Sequence, residues 1–256
     1  MSILFGRRVG AESKLACWIC LALSCVFAAA VGHARSAPLG PEESAKHHIE
    51  SGNTKYLNGD FTGAIREYTE SIRIDPENVL AYISRALSKS RTGDDKGAVL
   101  DYTLAIRLDP ASQVAYNNRG LLRLDAGDND GAIADFTKSL SINLRSFSSY
   151  YSRGKARFNK GDFEGAIADL TVAIKINHRP VEPYYLRANA KLEIGDKEGA
   201  IADYTGAIAG NAEYAPFYNE RGLVKFDIGD YNGAIGDYSR AIRVDPNFVV
   251  AYNNRG

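Results

Sequence analysis

Cysteine, histidine and recurrent charge pairs are the residues here from which chemistry would be built, and their spacing decides what each can do. All three cysteines, Cys17, Cys20 and Cys25, lie near the start of the chain. Cys17 and Cys20 have the C-x-x-C spacing of a redox pair, which works at a folded site beside a βαβ unit. Here the pair sits inside an uncharged run, residues 15–31, "LACWICLALSCVFAAAV". Cys25 follows "ALS" much as in a lipoprotein cleavage site, but the apolar run continues past it and Ala22 stands where that motif prefers leucine. The four histidines are His33, His47, His48 and His178, and none is paired with cysteines or carboxylates at metal-ligand spacing. His47 and His48 read as a solvated surface pair. The glycines recur at a fixed interval and form no phosphate-cradling loop. No nucleophile stands in a strand–turn–helix setting. No metal, no cofactor and no enzymatic activity are expected.

The charge pairs behave differently. Arg85, Arg119, Arg153, Arg187 and Arg221 are each followed sixteen residues later by an aspartate: Asp101, Asp135, Asp169, Asp203 and Asp237. Ser51 and Glu67 occupy the same two places earlier in the chain, and Arg255 continues the series. A guanidinium is a planar fork that can take a carboxylate bidentately. A ladder of structural ion pairs is the favoured reading; a cationic track for an acidic ligand is the alternative. The overall charge, 31 Lys and Arg against 31 Asp and Glu, lacks the basic excess of a nucleic-acid-binding protein.

These arginines are 34 residues apart, and so is much else. Gly-Asp occurs at 59–60, 93–94, 127–128, 161–162, 195–196 and 229–230, without insertion or deletion. Four residues after each of these glycines stands another, at 63, 97, 131, 165, 199 and 233, followed by alanine. "VAYNNRG" at 114–120 returns at 250–256, four periods on. A fixed period of this length marks a stack of supersecondary units. With the Gly-Asp glycine as fifteenth residue, the units are 45–78, 79–112, 113–146, 147–180, 181–214 and 215–248, with a partial seventh at 249–256.

Each unit carries two apolar stripes of helical period. In unit three they run through Tyr116, Gly120 and Leu124, then Ala132, Ile133, Phe136 and Leu140. Gly-Asp breaks the chain between them, and the aspartate is placed to cap the second helix. Asp-Pro closes units one, two and six, where proline stops a helix. The recurrent glycine at the nineteenth position costs about 1 kcal/mol in a helix interior and less near the first turn, so it reads as structural. The expected fold is all-α, a solenoid of antiparallel helix pairs.

This pattern resembles the tetratricopeptide repeat family across residues 45–256. In unit six Tyr218 takes the aromatic position, Gly222 the small residue where the helices cross, and Ala234, Tyr238, Ala241 and Pro246 the remaining markers. Two departures stand out. The terminal proline is Leu144, His178 and Ala212 in units three to five, which leaves those helix ends open, and the family's leucine before the crossing residue is arginine in every unit but the first. The resemblance implies a right-handed superhelix whose first helices line a concave groove for a peptide or a partner's segment. It places Asn53, Tyr56, Asn117, Asn118, Tyr151, Lys155, Phe158, Asn159, Tyr185, Asn189, Asn219 and Phe226 on that groove. Asparagine can donate to and accept from an extended backbone, and tyrosine supplies contact area at low entropic cost. The carboxylate clamp of some family members is not matched, because Ile49, Val114 and Asn118 stand where it uses cations.

The first 34 residues read as a secretory signal. Arg7, Arg8 and Lys14 precede the apolar run, and Gly32 and Ala34 suit cleavage after residue 34. Residues 35–44 then form a linker. The expected location is periplasmic or secreted; the alternative is an uncleaved leader anchoring the protein in the membrane. The expected role is a scaffold or adaptor for a protein or peptide partner, without nucleic acid. The alternatives are a structural element self-associating through an uncapped C-terminal end, where Val249, Val250 and Tyr252 form an apolar stripe, or a fragment of a longer array.

Overall fold

The computed structural model describes residues 40–177 and 181–256. The leader predicted at 1–34, the first part of the linker and His178 lie outside them. Among the described residues the structure is helical throughout: α1 (Pro41–Leu57), α2 (Phe61–Ile74), α3 (Val79–Arg91), α4 (Asp95–Leu108), α5 (Gln113–Asp125), α6 (Asn129–Ile142), α7 (Phe147–Asn159), α8 (Phe163–Ile176), α9 (Val181–Glu193), α10 (Lys197–Gly210), α11 (Ala215–Asp227), α12 (Tyr231–Val244) and α13 (Val249–Arg255). From α3 onward every first helix begins at the first residue of its predicted unit. The exception is α1, which starts inside the predicted linker. At the first helical turn the missing N–H of Pro41 costs nothing, and Glu42 and Glu43 suit the positive end of the helix dipole.

The turn inside each unit explains both recurrent glycines. Gly127 has φ near +80°, a region that a side chain makes costly, and its N–H donates to the Leu124 carbonyl at 3.0 Å. Asp128 then caps α6, its carboxylate accepting from the Gly131 N–H at 2.9 Å. A Cβ on Gly131 would collide with that carboxylate. The nineteenth position is glycine because the cap occupies the space that a side chain needs.

The ends of the second helices do not depend on proline. α6 and α10 stop at the same place in their units as α2, α4 and α12, although Leu144 and Ala212 replace the proline. The stop is the residue before. Asp75, Asp109, Asn143, Asn211 and Asp245 each turn a side-chain oxygen onto the N–H two residues ahead, at 2.9–3.2 Å. Such a turn satisfies backbone that the helix can no longer use.

The core lies between the paired helices. Tyr68, Tyr102, Phe136, Leu170, Tyr204 and Tyr238 repeat at one position of the second helices and are buried, each preceded by a buried alanine four residues earlier. They press on the crossing residues of the first helices: a Cβ on Gly52 would lie 2.5 Å from the Tyr68 ring, and one on Gly222 2.7 Å from the Tyr238 ring. Each unit contacts the next, as a solenoid requires.

Candidate interaction groove

Neighbouring first helices touch one another (α1 with α3, α5 with α7, α7 with α9, α11 with α13), so they form the inner layer of the stack. The arginines on this layer face the second helices. Arg153 donates from Nε and Nη2 to the two oxygens of Asp169, at 2.8 and 2.7 Å. The pairs Arg85–Asp101, Arg119–Asp135, Arg187–Asp203 and Arg221–Asp237 repeat this at 2.6–2.9 Å. The remaining nitrogen, Nη1, donates to a threonine of the preceding unit: Thr69, Thr103, Thr137, Thr171 or Thr205, at 2.8–3.2 Å. Each guanidinium also lies over the tyrosine three residues before it, 5.6–5.9 Å from the ring centroid. With all three nitrogens engaged, none of these five arginine forks is left open to an acidic ligand.

Sequence reasoning missed a second cation. Lys89, Arg123, Arg157, Lys191 and Lys225, four residues after each arginine, reach the same buried carboxylates at 2.8–2.9 Å. The signal was present, because the eleventh position of every complete unit is Lys or Arg. Unit one uses different parts. Lys55 and His48 bind Glu67, with His48 Nδ1 at 2.8 Å from its carboxylate. The hydrogen bonds from Lys55 and then His48 hold the Glu67 pKa down at about 2.

The predicted groove residues divide by what they touch. Asn53 and Asn189 accept from the hydroxyls of Tyr68 and Tyr204, at 2.8 and 2.6 Å, so these amides anchor the core. Asn117 accepts from Ser149 of the next unit at 3.0 Å. Two more positions differ from the expectation. Asn118 and Asn219 are only 6% and 2% exposed and do not offer their amides to a ligand. Asn219 is covered by α13, whose Asn254 donates to it at 2.9 Å. Tyr56, Phe158 and Phe226 pack edge-on against the aromatic that opens their own second helix, Phe61, Phe163 and Tyr231, at 5.1–5.5 Å. Phe226 is nonetheless 52% exposed. Lys155 and Asn159 are exposed.

Tyr151 and Tyr185 hold the middle of the layer. Tyr151 stacks on Phe147 at 6.1 Å, and burial, with Glu182 nearby, pushes its phenol up to about 12. Tyr185 is wedged between Tyr204 of its own unit and Phe217 of the next, at 5.9 and 5.4 Å. Both stay neutral at ordinary pH and present fixed, partly exposed rings.

A stack of helix pairs with an inner layer of this kind is an all-α repeat solenoid, the architecture of a protein-interaction scaffold. Residues 117–177 match a family model described as tetratricopeptide repeat, and residues 222–256 one described as TPR repeat. These two stretches carry tetratricopeptide repeats. No curated protein matches it in sequence. Similar solved structures include YrrB, described as a TPR protein with an unusual peptide-binding site (TM-score 0.66, 19% identity, 73% of this chain and 96% of that one). PilF of Pseudomonas aeruginosa is similar with a TM-score of 0.67 and 15% identity, over 84% of this chain and 98% of that one. MamA has a TM-score of 0.62 and 24% identity, over 64% and 96%.

Proposed function

We propose that the inner layer binds an extended peptide segment of a partner protein, and that the chain acts as an exported, non-catalytic adaptor. The observation that carries this reading is the pair of partly exposed tyrosines, Tyr151 and Tyr185, held in place by Phe147, Tyr204 and Phe217. Rings fixed before a ligand arrives lose little entropy on binding. The ladder supports the reading from the other side, because its arginines are occupied with internal partners and serve to hold the layer. The peptide-binding site of YrrB, on a stack of the same fold, is consistent with it. Export rests on the basic stretch, apolar run and small residues of the first 34 positions.

Affinity capture tests the proposal. The purified full chain and a Tyr151→Ala/Tyr185→Ala variant, shown by circular dichroism to be folded, are immobilised and exposed to a cell-envelope extract. A protein retained by the first and lost by the second supports groove binding. Retention of the chain by itself alone would point to self-association and overturn it.

A further inference from the structure

Charge is distributed unevenly along the inner layer. The cations of α9 and α11 are Arg187, Lys191, Arg221 and Lys225, and all four are bound to the buried Asp203 and Asp237. The carboxylates of these two helices are not so bound. Glu182, Glu193 and Glu220 have no ion pair among the described residues, and Asp227 faces only Lys197, at 3.6 Å. α3 and α7, in contrast, carry no carboxylate at all, and Lys155 of α7 is exposed. From α3 to α11, four of the five carboxylates on the first helices therefore lie in units five and six, Asp125 of α5 being the fifth, and α1 adds Glu42, Glu43 and Glu50 in unit one and the segment before it.

We infer that this part of the groove takes a basic, extended segment of the partner, its lysine or arginine side chains seated between Glu182 and Glu220 and against the ring of Tyr185. The inference rests on the groove reading above and names the class of occupant. Three observations support it. First, Glu220 is half-buried beside Asn219 with no cation to offset it, and burial raises its pKa. A desolvated carboxylate attracts an arriving cation more strongly than a solvated one does. Second, Glu220 lies within electrostatic reach of Tyr185 and Tyr204, so the charge stands beside an aromatic wall of Tyr185, Phe217 and Tyr214. An ammonium or guanidinium over such a ring gains a cation–π contact. Third, Lys155 sets a limit, because a basic stretch running on over α7 would meet a like charge. Two neighbouring helices span about 20 Å at the usual packing distance, which is roughly six residues of extended chain.

An array of twelve-residue peptides tests this, with basic, neutral and acidic members sharing the same aromatic and aliphatic content. The probes are the full chain, a Glu182→Gln/Glu220→Gln variant and the Tyr151→Ala/Tyr185→Ala variant. The expected result is retention of basic peptides, weakened about tenfold by the glutamine pair, as one exposed and one half-buried charge pair would give, and weakened by added salt. Basic peptides that bind the glutamine variant equally well are held elsewhere, which overturns the inference. Neutral or acidic peptides preferred by the full chain and lost in the tyrosine variant would overturn the basic occupant and leave the groove reading standing. Retention of no peptide would remove both.

Discussion

At the scale of the residue, the buried aspartates are the most exacting positions. Asp169 is nearly inaccessible and receives Arg153 and Arg157 together. Removing it leaves two cations facing a dry interface, so Asp169→Ala is expected to cost about 3–5 kcal/mol. Arg153→Ala should cost less, because Arg157 still holds the carboxylate. Urea unfolding of the two variants checks the order, and an unchanged midpoint for Arg153→Ala would mean that the ladder is not structural. Two glutamates predict opposite dependences on pH. The folded pKa of Glu67 is depressed to about 2 from 4.5, so its contribution is full above 4.5 and lost as pH falls through 2. Glu67→Gln should then be destabilising near neutrality and neutral in strong acid. Glu220 is shifted the other way, raised above 4.5 by burial. Its ionised form opposes folding, so Glu220→Gln should raise the melting temperature at neutral pH. That gain should fade as the folded group takes up its proton and vanish below about 4.5. Melting temperatures across the acid range read both signs.

At the scale of the element, the turn within each unit is a set of interlocking requirements. Asp128→Ala removes the α6 cap and is expected to cost about 1 kcal/mol. Gly131→Ala should cost a similar amount by displacing the same carboxylate, and the double variant should cost little more than either alone. Gly127→Ala places a side chain at positive φ and should cost about 1–2 kcal/mol. Thermal melts of the four variants test whether cap and glycine act as one device. Much of this was legible in the sequence: the period located every first helix from α3 onward, and the cap was readable from Asp before a helical stripe. The stop of the second helix was not. Proline is the conspicuous breaker, yet the working residue is the Asp or Asn before it, whose role emerges only when its oxygen is seen on the N–H two residues ahead. The opening of α1 inside the expected linker was not legible either, because proline suits a linker and the first turn of a helix alike.

At the scale of the molecule, the main contacts among the described residues run within a unit or between neighbouring units, so damage should stay local. Leu170 is fully buried between α7 and α8, and Leu170→Ala is expected to cost about 2–5 kcal/mol. Hydrogen exchange should show amides of α6 to α9 losing protection while those of α1 to α3 keep theirs; a uniform loss would mean that the stack unfolds as one body. The groove was less legible than the fold. Its positions came from the resemblance, and only the structure divides them into side chains that hold neighbours and side chains that face outward. Asn53 and Asn189 read as ligand contacts because their partners, Tyr68 and Tyr204, lie fifteen residues away on another helix. Asn53 and Asn189 share one position of their units, which Leu87 and Leu223 occupy in units two and six. The wiring of the ladder has one more consequence. Each of the five arginines finds its carboxylate within its own unit and its threonine in the unit before, and units two to five each supply both kinds of partner. A copy of one of them inserted by gene duplication would arrive with its contacts already matched at both faces, so this architecture can lengthen or shorten by recombination in whole steps of 34 residues.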